Sequence, residues 1–347
     1  MPDVSSFSLP LLIGAFLTAA LVVWFAGARL TRYADEISER TGLGHAVVGV
    51  VLLGAITSLP EISTSGVATL TGNSGMAVNN LIGSASFQLV VLAVCDLFVG
   101  RTALTSMVPG PRVILNGMAG IVLLVLVTIG VMVGDWEWPL GSIGFFPLLI
   151  VAVYILCVWQ LSRQVAVKGW KPVEPPDEDR PEPDRPAISN WKLGLLTALS
   201  AAIILAAGTV LTLSAEGIAE STGVSTGLMG LTLLAAATSL PEFSTAITAA
   251  RMRRAELAIG DILGGNMFNT VLILQVDALD GGGLVLRQVD RSSMTAALIA
   301  VLLTTLFLIG LVERRDKAVA RMGYDSIAVL VVYVAGMAAI FAGVVAR

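Results

Sequence analysis

Two glutamates within long apolar segments are the residues of this sequence that are best placed to do chemistry. Glu61 lies in AITSLPEIST (55–64), and Glu242 lies in AATSLPEFST (236–245), 181 positions further along. A lone carboxylate at the centre of a bilayer costs at least ~2.5–3.5 kcal/mol to insert, so it needs a cation, a proton or a pore. Two such residues in a repeated motif indicate a cation site.

The spacing within each motif places hydroxyl groups on the same helix face as the glutamate. Positions i, i+3, i+4 and i+7 share one face. These are Gly54, Thr57, Ser58 and Glu61 in the first copy, and Ala235, Thr238, Ser239 and Glu242 in the second. Pro60 and Pro241 each remove a backbone donor, which we expect to free carbonyl oxygens around 54–57 and 235–238. Such an all-oxygen cage with two carboxylates suits calcium and disfavours zinc, copper and iron.

A second motif recurs at the same offset, as GSASFQ (83–88) and GGNMFN (264–269). The positions that share a helix face are Ser84 and Gln88 in the first copy, and Gly265 and Asn269 in the second. We predict that this motif supplies hydroxyl and amide ligands. Gly83 and Gly264 are expected to permit close helix packing, which explains the motif about as well.

The composition places these motifs in a membrane protein. Only 13% of the 347 residues are charged, against roughly 25% in soluble domains, and 56% are hydrophobic. This excludes a soluble enzyme and a disordered chain. The small net charge of -4 disfavours a nucleic-acid partner, and no protein partner or covalent cofactor is implied.

Ten segments are long and apolar enough to cross ~30 Å of hydrocarbon. They are 9–29, 45–70, 76–98, 112–133, 142–162, 191–213, 225–250, 257–279, 293–312 and 324–346. The repeat divides them into two five-helix halves, 1–162 and 191–347. The intervening segment, 163–190, is rich in proline and acidic residues, so we predict an extended, solvated linker.

The basic residues predict the topology. Of the 21 lysines and arginines, 18 fall on the side of the linker and 3 on the other. By the positive-inside rule the linker is cytoplasmic and both termini face out. An odd number of spans in each half makes the second copy enter the membrane in the opposite orientation. We therefore predict an all-α polytopic protein with an inverted-topology repeat, typical of secondary transporters with a midplane site.

The two motif pairs resemble the α-repeats of the cation/calcium exchanger superfamily, especially those of sodium/calcium exchangers. The family pattern G-[TS]-S-x-P-E followed by G-S-[NA]-x-x-[ND] corresponds here to A-I-T-S-L-P-E with GSASFQ, and to A-A-T-S-L-P-E with GGNMFN. The resemblance implies exchange of calcium for sodium in a plasma membrane, of prokaryotic type because the linker holds no large regulatory domain. It also implies that helices 1 and 6 slide over the core of helices 2–3 and 7–8 to switch access.

The resemblance also implies residue roles. Glu61 and Glu242 would be bidentate calcium ligands, and Thr57 and Thr238 would add carbonyls. The flanking sodium sites would comprise Ser58, Ser239, Ser84 and the carbonyls of Gly54 and Ala235. Gly265 stands where the family usually has Ser, which deletes one hydroxyl, while Gln88 and Asn269 stand where it has Asn or Asp, so this motif adds no third carboxylate.

Three alternatives to sodium-coupled exchange remain at this stage. The first is the same cage coupled to protons or to another cation, because a buried glutamate pair can itself carry protons. The second is a channel, against which a buried, proline-broken dianionic site argues. The third is an intramembrane hydrolase, which lacks a histidine partner for any serine. Asp261 has no paired aspartate motif, so Glu61 and Glu242 are taken as the only deep ionisable groups.

Five further residues have structural or secondary interpretations. Asp96 and Asp277, equivalent by the repeat, are predicted to be solvated helix ends or, less favoured, acids that concentrate cations at the mouths. Cys95 and Cys157 are predicted to be core thiols rather than a disulfide, and His45 to be structural.

Overall fold

Within the described part of the chain, helices form in the segments that the hydropathy predicts. The computed structural model describes residues 7–41, 58–99, 104–107, 112–137, 143–163, 188–251, 255–281, 283–313, 318–319 and 322–345. Seven of the described helices are long and apolar enough to cross a membrane, and two shorter apolar helices, Phe145–Leu161 and Thr226–Thr238, accompany them. His45 and most of the linker lie outside the described residues.

The helices of the two halves follow one another in the same order. The first half contains α1 (Leu9–Thr41), α2 (Leu59–Leu70), α3 (Ser74–Val99), a 3₁₀ turn (Leu104–Met107), α4 (Arg112–Val133) and α5 (Phe145–Ser162). The second half contains α6 (Asn190–Thr222), α7 (Thr226–Thr238), α8 (Leu240–Arg251), α9 (Ala255–Leu279), α10 (Val285–Gln288), α11 (Arg291–Glu313) and α12 (Tyr324–Val345). Strands β1 (Ala318–Val319) and β2 (Met322–Gly323) pair antiparallel before α12.

The sequence repeat is also a repeat of secondary structure. The bounds of α1 and α6 differ by the same 181 residues as the motifs, and so do those of α2 and α8. The 3₁₀ turn before α4 and the short α10 before α11 are related by this offset as well. Helices α1 and α6 extend to Thr41 and Thr222, past the limits of the predicted membrane spans at 29 and 213. The predicted second span is described only from residue 58 onward.

Two groups of helices build the interior. Helix α1 packs along α6, and each of them also packs on the opposite half, α1 on α8 and α6 on α2. The main hydrophobic cores lie among α3, α4, α9, α11 and the final helix of each half. Cys95 is buried there, and both it and Cys157 are free thiols, as predicted.

Helices α3 and α7 approach each other closely enough for their backbones to touch. A Cβ atom at Gly83 would come within 2.5 Å of the Leu231 carbonyl oxygen, and one at Gly230 would overlap the carbonyl of Met76. The prediction of close packing at Gly83 is therefore confirmed. The equivalent contact of Gly264 would involve residue 50, which lies outside the described residues.

Asp96 and Asp277 are buried caps, so the prediction of solvated helix ends is wrong. Both are at most 2% exposed. Each accepts a hydrogen bond from the backbone N–H eight residues ahead, Leu104 at 2.6 Å and Val285 at 2.9 Å. Their second oxygens accept hydrogen bonds from backbone groups of the opposite half.

These cross-half bonds lie just before the last helix of each half. Asp96 Oδ2 accepts from the N–H of Gly323 at 2.6 Å and from Ser326 Oγ at 2.9 Å, next to the start of α12. Asp277 Oδ2 accepts from the N–H of Gly144 at 2.7 Å, next to the start of α5. The two repeat-related aspartates therefore join the halves at equivalent places, which explains why an acid is present in both copies.

Replacing either aspartate with alanine is expected to destabilise the fold. Asp277→Ala leaves the N–H groups of Gly144 and Val285 without acceptors, at a cost of about 1–3 kcal/mol for each buried donor. We expect a lower melting temperature in detergent, measured by fluorescence-detected size exclusion after heating. Glu220→Ala, at an exposed position of α6, is the control. Equal melting temperatures for the two variants would contradict the proposed capping role.

Candidate cation site

A break between two consecutive helices positions Glu242. Helix α7 contains a π-helical stretch, Gly230–Leu234, and ends at Thr238. Ser239 interrupts the helical backbone, and α8 then begins with Pro241 as its second residue. Proline is tolerated in a first helical turn, where its missing N–H would have no intrahelical partner. Glu242 therefore lies in the first turn of a new helix.

Glu61 occupies the equivalent position in the first half. Ser58 precedes α2 with a backbone conformation close to that of Ser239, φ -85° and ψ 16° against φ -81° and ψ 4°. Pro60 is again the second residue of the helix, and Glu61 lies in its first turn. Helix N-termini carry a partial positive charge, so both carboxylates lie where the backbone favours negative charge.

Both carboxylates are buried with unused hydrogen-bonding capacity. Glu61 is 0% exposed and Glu242 is 4% exposed. Among the described residues, both carboxylate oxygens of Glu61 and the Oε2 atom of Glu242 lack a hydrogen-bond partner. The two side chains are near enough for their charges to interact. Buried, unpaired carboxylates are costly unless a cation or a proton neutralises them.

The second motif lies against the first, across the two halves. Ser84 Oγ of α3 lies 3.3 Å from Thr238 Oγ1 of α7. A Cβ atom at Gly265 of α9 would lie 3.9 Å from Gln88 Oε1. The adjacent positions, Ala85 and Asn266, are themselves one repeat apart, and Asn266 Nδ2 donates to the Ala85 carbonyl at 3.2 Å.

Several other predicted ligands are buried and lack partners. Within the described part of the chain, the polar atoms without a hydrogen bond include Ser239 Oγ, Gln88 Oε1 and both side-chain polar atoms of Asn269. The structure thus brings Ser84 close to Thr238 and Gln88 close to Gly265 across the two halves. Glu61, Ser239, Glu242 and Asn269 are buried at neighbouring positions of the same motifs, and Ser58 is buried at the start of α2. Gly54 and Thr57 lie outside the described residues.

The expected free carbonyl of Ala235 is not observed. Its oxygen accepts from Ser239 N at 3.2 Å and from Thr238 Oγ1 at 3.2 Å. The reason is the position of the proline: Pro241 removes the donor that would serve Ala237, four residues earlier, rather than Ala235.

A third acid, Asp261, was missed as a member of this region. Its charge interacts with that of Glu242, and its Oδ2 lies 3.3 Å from Thr245 Oγ1. The view that Glu61 and Glu242 are the only deep ionisable groups is therefore wrong. The sequence indicated a third acid in the membrane, because Asp261 lies inside the predicted span 257–279. Among the described residues, however, no three acidic, histidine or cysteine side chains surround a single point.

Comparison with known proteins shows which family the sequence matches. The sequence profile of the sodium/calcium exchanger protein family matches residues 11–162 and 192–342. The inner membrane protein YrbG of Escherichia coli is 29% identical over 266 residues, 76% of this chain and 78% of that protein. The putative antiporter CaxA of Alkalimonas amylolytica is 27% identical over 298 residues, 82% of this chain and 86% of that protein.

The fold is shared with solved exchangers. The crystal structure of the H⁺/Ca²⁺ exchanger CAX aligns with a TM-score of 0.69 at 12% identity, over 95% of this chain and 85% of that chain. A structure of the sodium-calcium exchanger NCX_Mj aligns with a TM-score of 0.61 at 18% identity, over 95% and 99%. With both motif copies, the buried glutamate pair and a family match in each half, this chain belongs to the sodium/calcium exchanger family of multi-pass membrane antiporters.

Proposed function

We propose that this protein exchanges calcium for sodium by alternating access at the site between Glu61 and Glu242. The observation that carries the proposal is the pair of repeat-related carboxylates, buried and with unpartnered oxygens. Carboxylate, hydroxyl and carbonyl oxygens are the ligands that calcium prefers, and it takes six to eight of them. Glu61 and Glu242 would supply up to four, and Thr57 and Thr238 would add carbonyls.

The charge of the pair provides a physical reason for obligatory exchange. One calcium ion neutralises two carboxylates, so the occupied site can be enclosed away from water. The empty site is a buried dianion, whose desolvation opposes closure. Sodium ions would have to occupy it on the return step, using the hydroxyls of Ser58, Ser84 and Ser239. Each half-cycle would then require a bound cation.

Proton coupling is the second candidate, and two observations favour it. Gly265 leaves one flanking sodium position without its usual hydroxyl. The fold also aligns well with an exchanger whose coupling ion is the proton. In that case Glu61 and Glu242 would themselves take up protons when calcium leaves.

The membrane arrangement is part of the proposal. We infer ten spans in two oppositely oriented halves, in a plasma membrane of prokaryotic type. The distribution of basic residues, 18 against 3, supports a cytoplasmic 163–190 linker and external termini. The helix bounds that recur at one offset support the two-half organisation.

A difference between the two halves supports alternating access. Gly27 of α1 lies against Pro241 of α8, whereas the equivalent Gly208 of α6 lies against Ser63 of α2. The residue equivalent to Pro241 is Pro60, three residues before Ser63. The two contacts therefore differ by three residues, about 4.5 Å along a helix. If each half adopted the contact that the other half now has, α1 and α6 would slide along the helices they pack on. This movement would open the site to the opposite side of the membrane.

Neutralising either glutamate is expected to abolish calcium transport. Glu61→Gln and Glu242→Gln keep the side-chain shape but leave one negative charge against a divalent ion. We expect at least a tenfold loss of calcium uptake into proteoliposomes under an outward sodium gradient. Glu137→Gln, in the connection after α4, is the matched control.

The same assay distinguishes the coupling ions. Sodium, potassium and pH gradients are imposed one at a time on the unmodified protein. Calcium uptake that a pH gradient drives in the absence of sodium would show that the proton, and not sodium, is the coupling ion. Unchanged uptake by both glutamate variants would contradict the site itself.

Replacing Gly27 or Gly208 with alanine is expected to slow transport, because each glycine lies at one of the contacts that would slide. Alanine at Gly27 would overlap the Pro241 ring, and alanine at Gly208 would overlap Ser63 Oγ. We expect the maximal rate to fall by about an order of magnitude, because packing overlap of this kind typically costs 1–3 kcal/mol. The KM for calcium should change little. Gly14→Ala and Gly194→Ala, which meet nothing within 4 Å, are controls on the same two helices. Wild-type rates in both test variants would exclude sliding at these contacts.

A further inference from the structure

Asp135 is a buried aspartate outside the exchange site, and only half of its carboxyl group has a structural role. It lies in the connection after α4, and its side chain is 0% exposed. Its Oδ1 atom accepts hydrogen bonds from the N–H groups of Trp136 at 2.9 Å and of Phe146 at 3.0 Å, at the start of α5. Its Oδ2 atom is buried and has no hydrogen-bond partner among the described residues. One oxygen therefore caps a helix, and the other has unused hydrogen-bonding capacity.

The unpartnered oxygen lies close to a second buried acid. The N–H of Gly144 donates to Asp277 Oδ2 at 2.7 Å, and a Cβ atom at Gly144 would overlap Asp135 Oδ2. Both carboxyl groups therefore approach the same glycine, and their charges act on each other. Asp277 is itself only 2% exposed.

No basic side chain forms an ion pair with these two acids in the described part of the chain. The other charged residues at this end are Glu137 in the same connection, Asp280 on α9 and Arg287 on α10. Arg287 lies nearby but forms no ion pair with either aspartate. Residues 138–142, which complete the connection, include no acidic or basic side chain. Two neighbouring carboxylates buried without a cationic partner are costly, so we expect one of them to hold a proton.

The hydrogen bonds indicate which acid holds the proton. Each oxygen of Asp277 already accepts a backbone N–H, from Val285 and from Gly144, and such donors stabilise the ionised form. Asp135 receives its two N–H groups on one oxygen only, so Oδ2 can take a proton without loss of a hydrogen bond. Burial raises the pKa of the Asp135 carboxyl and the charge of Asp277 raises it further, although the backbone N–H groups that it accepts oppose the rise.

The other end of the molecule also has a second acid beside the capping aspartate. The residue equivalent to Gly144 is Asp325, in the first turn of α12, and its charge acts on that of Asp96. Asp325 Oδ2 is again buried without a partner within the described residues. In the first half, the carboxyl group of Asp135 occupies the space that a side chain at Gly144 would need. The acids come from non-equivalent positions of the chain, so their recurrence points to a role for the pair rather than to inheritance from the duplicated segment.

We propose that Asp135 and Asp277 form a carboxyl–carboxylate pair that binds one proton on Asp135 Oδ2, separate from the exchange site. Ionisation of Asp135 would place a second negative charge where α9 of one half is bonded to the start of α5 of the other. The contact between the halves would therefore weaken as the pH rises. By the proposed topology this end faces outward, so the pair would respond to external pH. The inference does not depend on which ion drives exchange.

The test compares the unmodified protein with Asp135→Asn, which keeps the capping oxygen and cannot ionise. The folded protein retains a proton that the unfolded chain releases above the ordinary aspartate pKa of about 3.9, so stability falls as the pH rises from there through the raised pKa. The variant lacks this loss. We therefore expect its melting temperature in detergent, relative to that of the unmodified protein, to rise by about 3 °C between about pH 4 and pH 8. Glu137→Gln, at an exposed position two residues further on, is the control and should show no such rise.

Infrared spectroscopy provides a second readout that does not depend on stability. A protonated carboxyl group has its own C=O stretching band, so the unmodified protein at neutral pH should show a component of this band that Asp135→Asn lacks. A difference in melting temperature that stays constant with pH, together with an unchanged band, would overturn the proton site. A melting temperature that rises with sodium or calcium at constant pH, and loses this dependence in Asp135→Asn, would replace the proton with a cation and also overturn the proposal.

Discussion

The structure depends on the cost of keeping two carboxylates in an apolar interior. Glu61 and Glu242 are buried, and their free oxygens have no partner in the described part of the protein. Every feature around them lowers that cost in part. The helix start after Ser58 and the helix break at Ser239 present the positive ends of α2 and α8 to the acids. In the proposed exchange a mobile cation balances the remaining charge, so the cost of burying the acids would drive ion binding.

Much of the fold and of the site could be predicted because repeated polar residues in apolar helices are rare and specific. The ten apolar segments and the unchanged 181-residue offset locate the helices, and the motif positions identify Glu61 and Glu242. The length of α1 could not be predicted from hydropathy, since its end is a charged helix rather than an apolar one. Packing against α6 and α8 depends on tertiary contacts that hydropathy does not contain.

The remaining failures concern residues whose role depends on distant partners. Asp96 resembles a solvated helix end in sequence. Its carboxylate oxygens, however, accept hydrogen bonds from the N–H groups of Leu104 and of Gly323, the latter 227 residues away. Asp261 has no motif of its own and becomes informative only beside Thr245 and Glu242. In both cases the hydrogen-bond inventory, rather than the residue type, reveals the role. Comparison of equivalent bonds in the two halves is especially useful, because one half serves as the reference for the other.

The contact between Asn266 and Ala85 has a consequence for the origin of this architecture. These residues occupy the same position in the two copies, yet they touch each other. Were the halves separate identical subunits, the contact would join one residue to its own copy across a two-fold axis, and both partners would have to be the same amino acid. Fusion into one chain removes that restriction. An amide can then face a methyl-bearing residue whose backbone accepts its hydrogen, so the contact between the two copies is chemically directional.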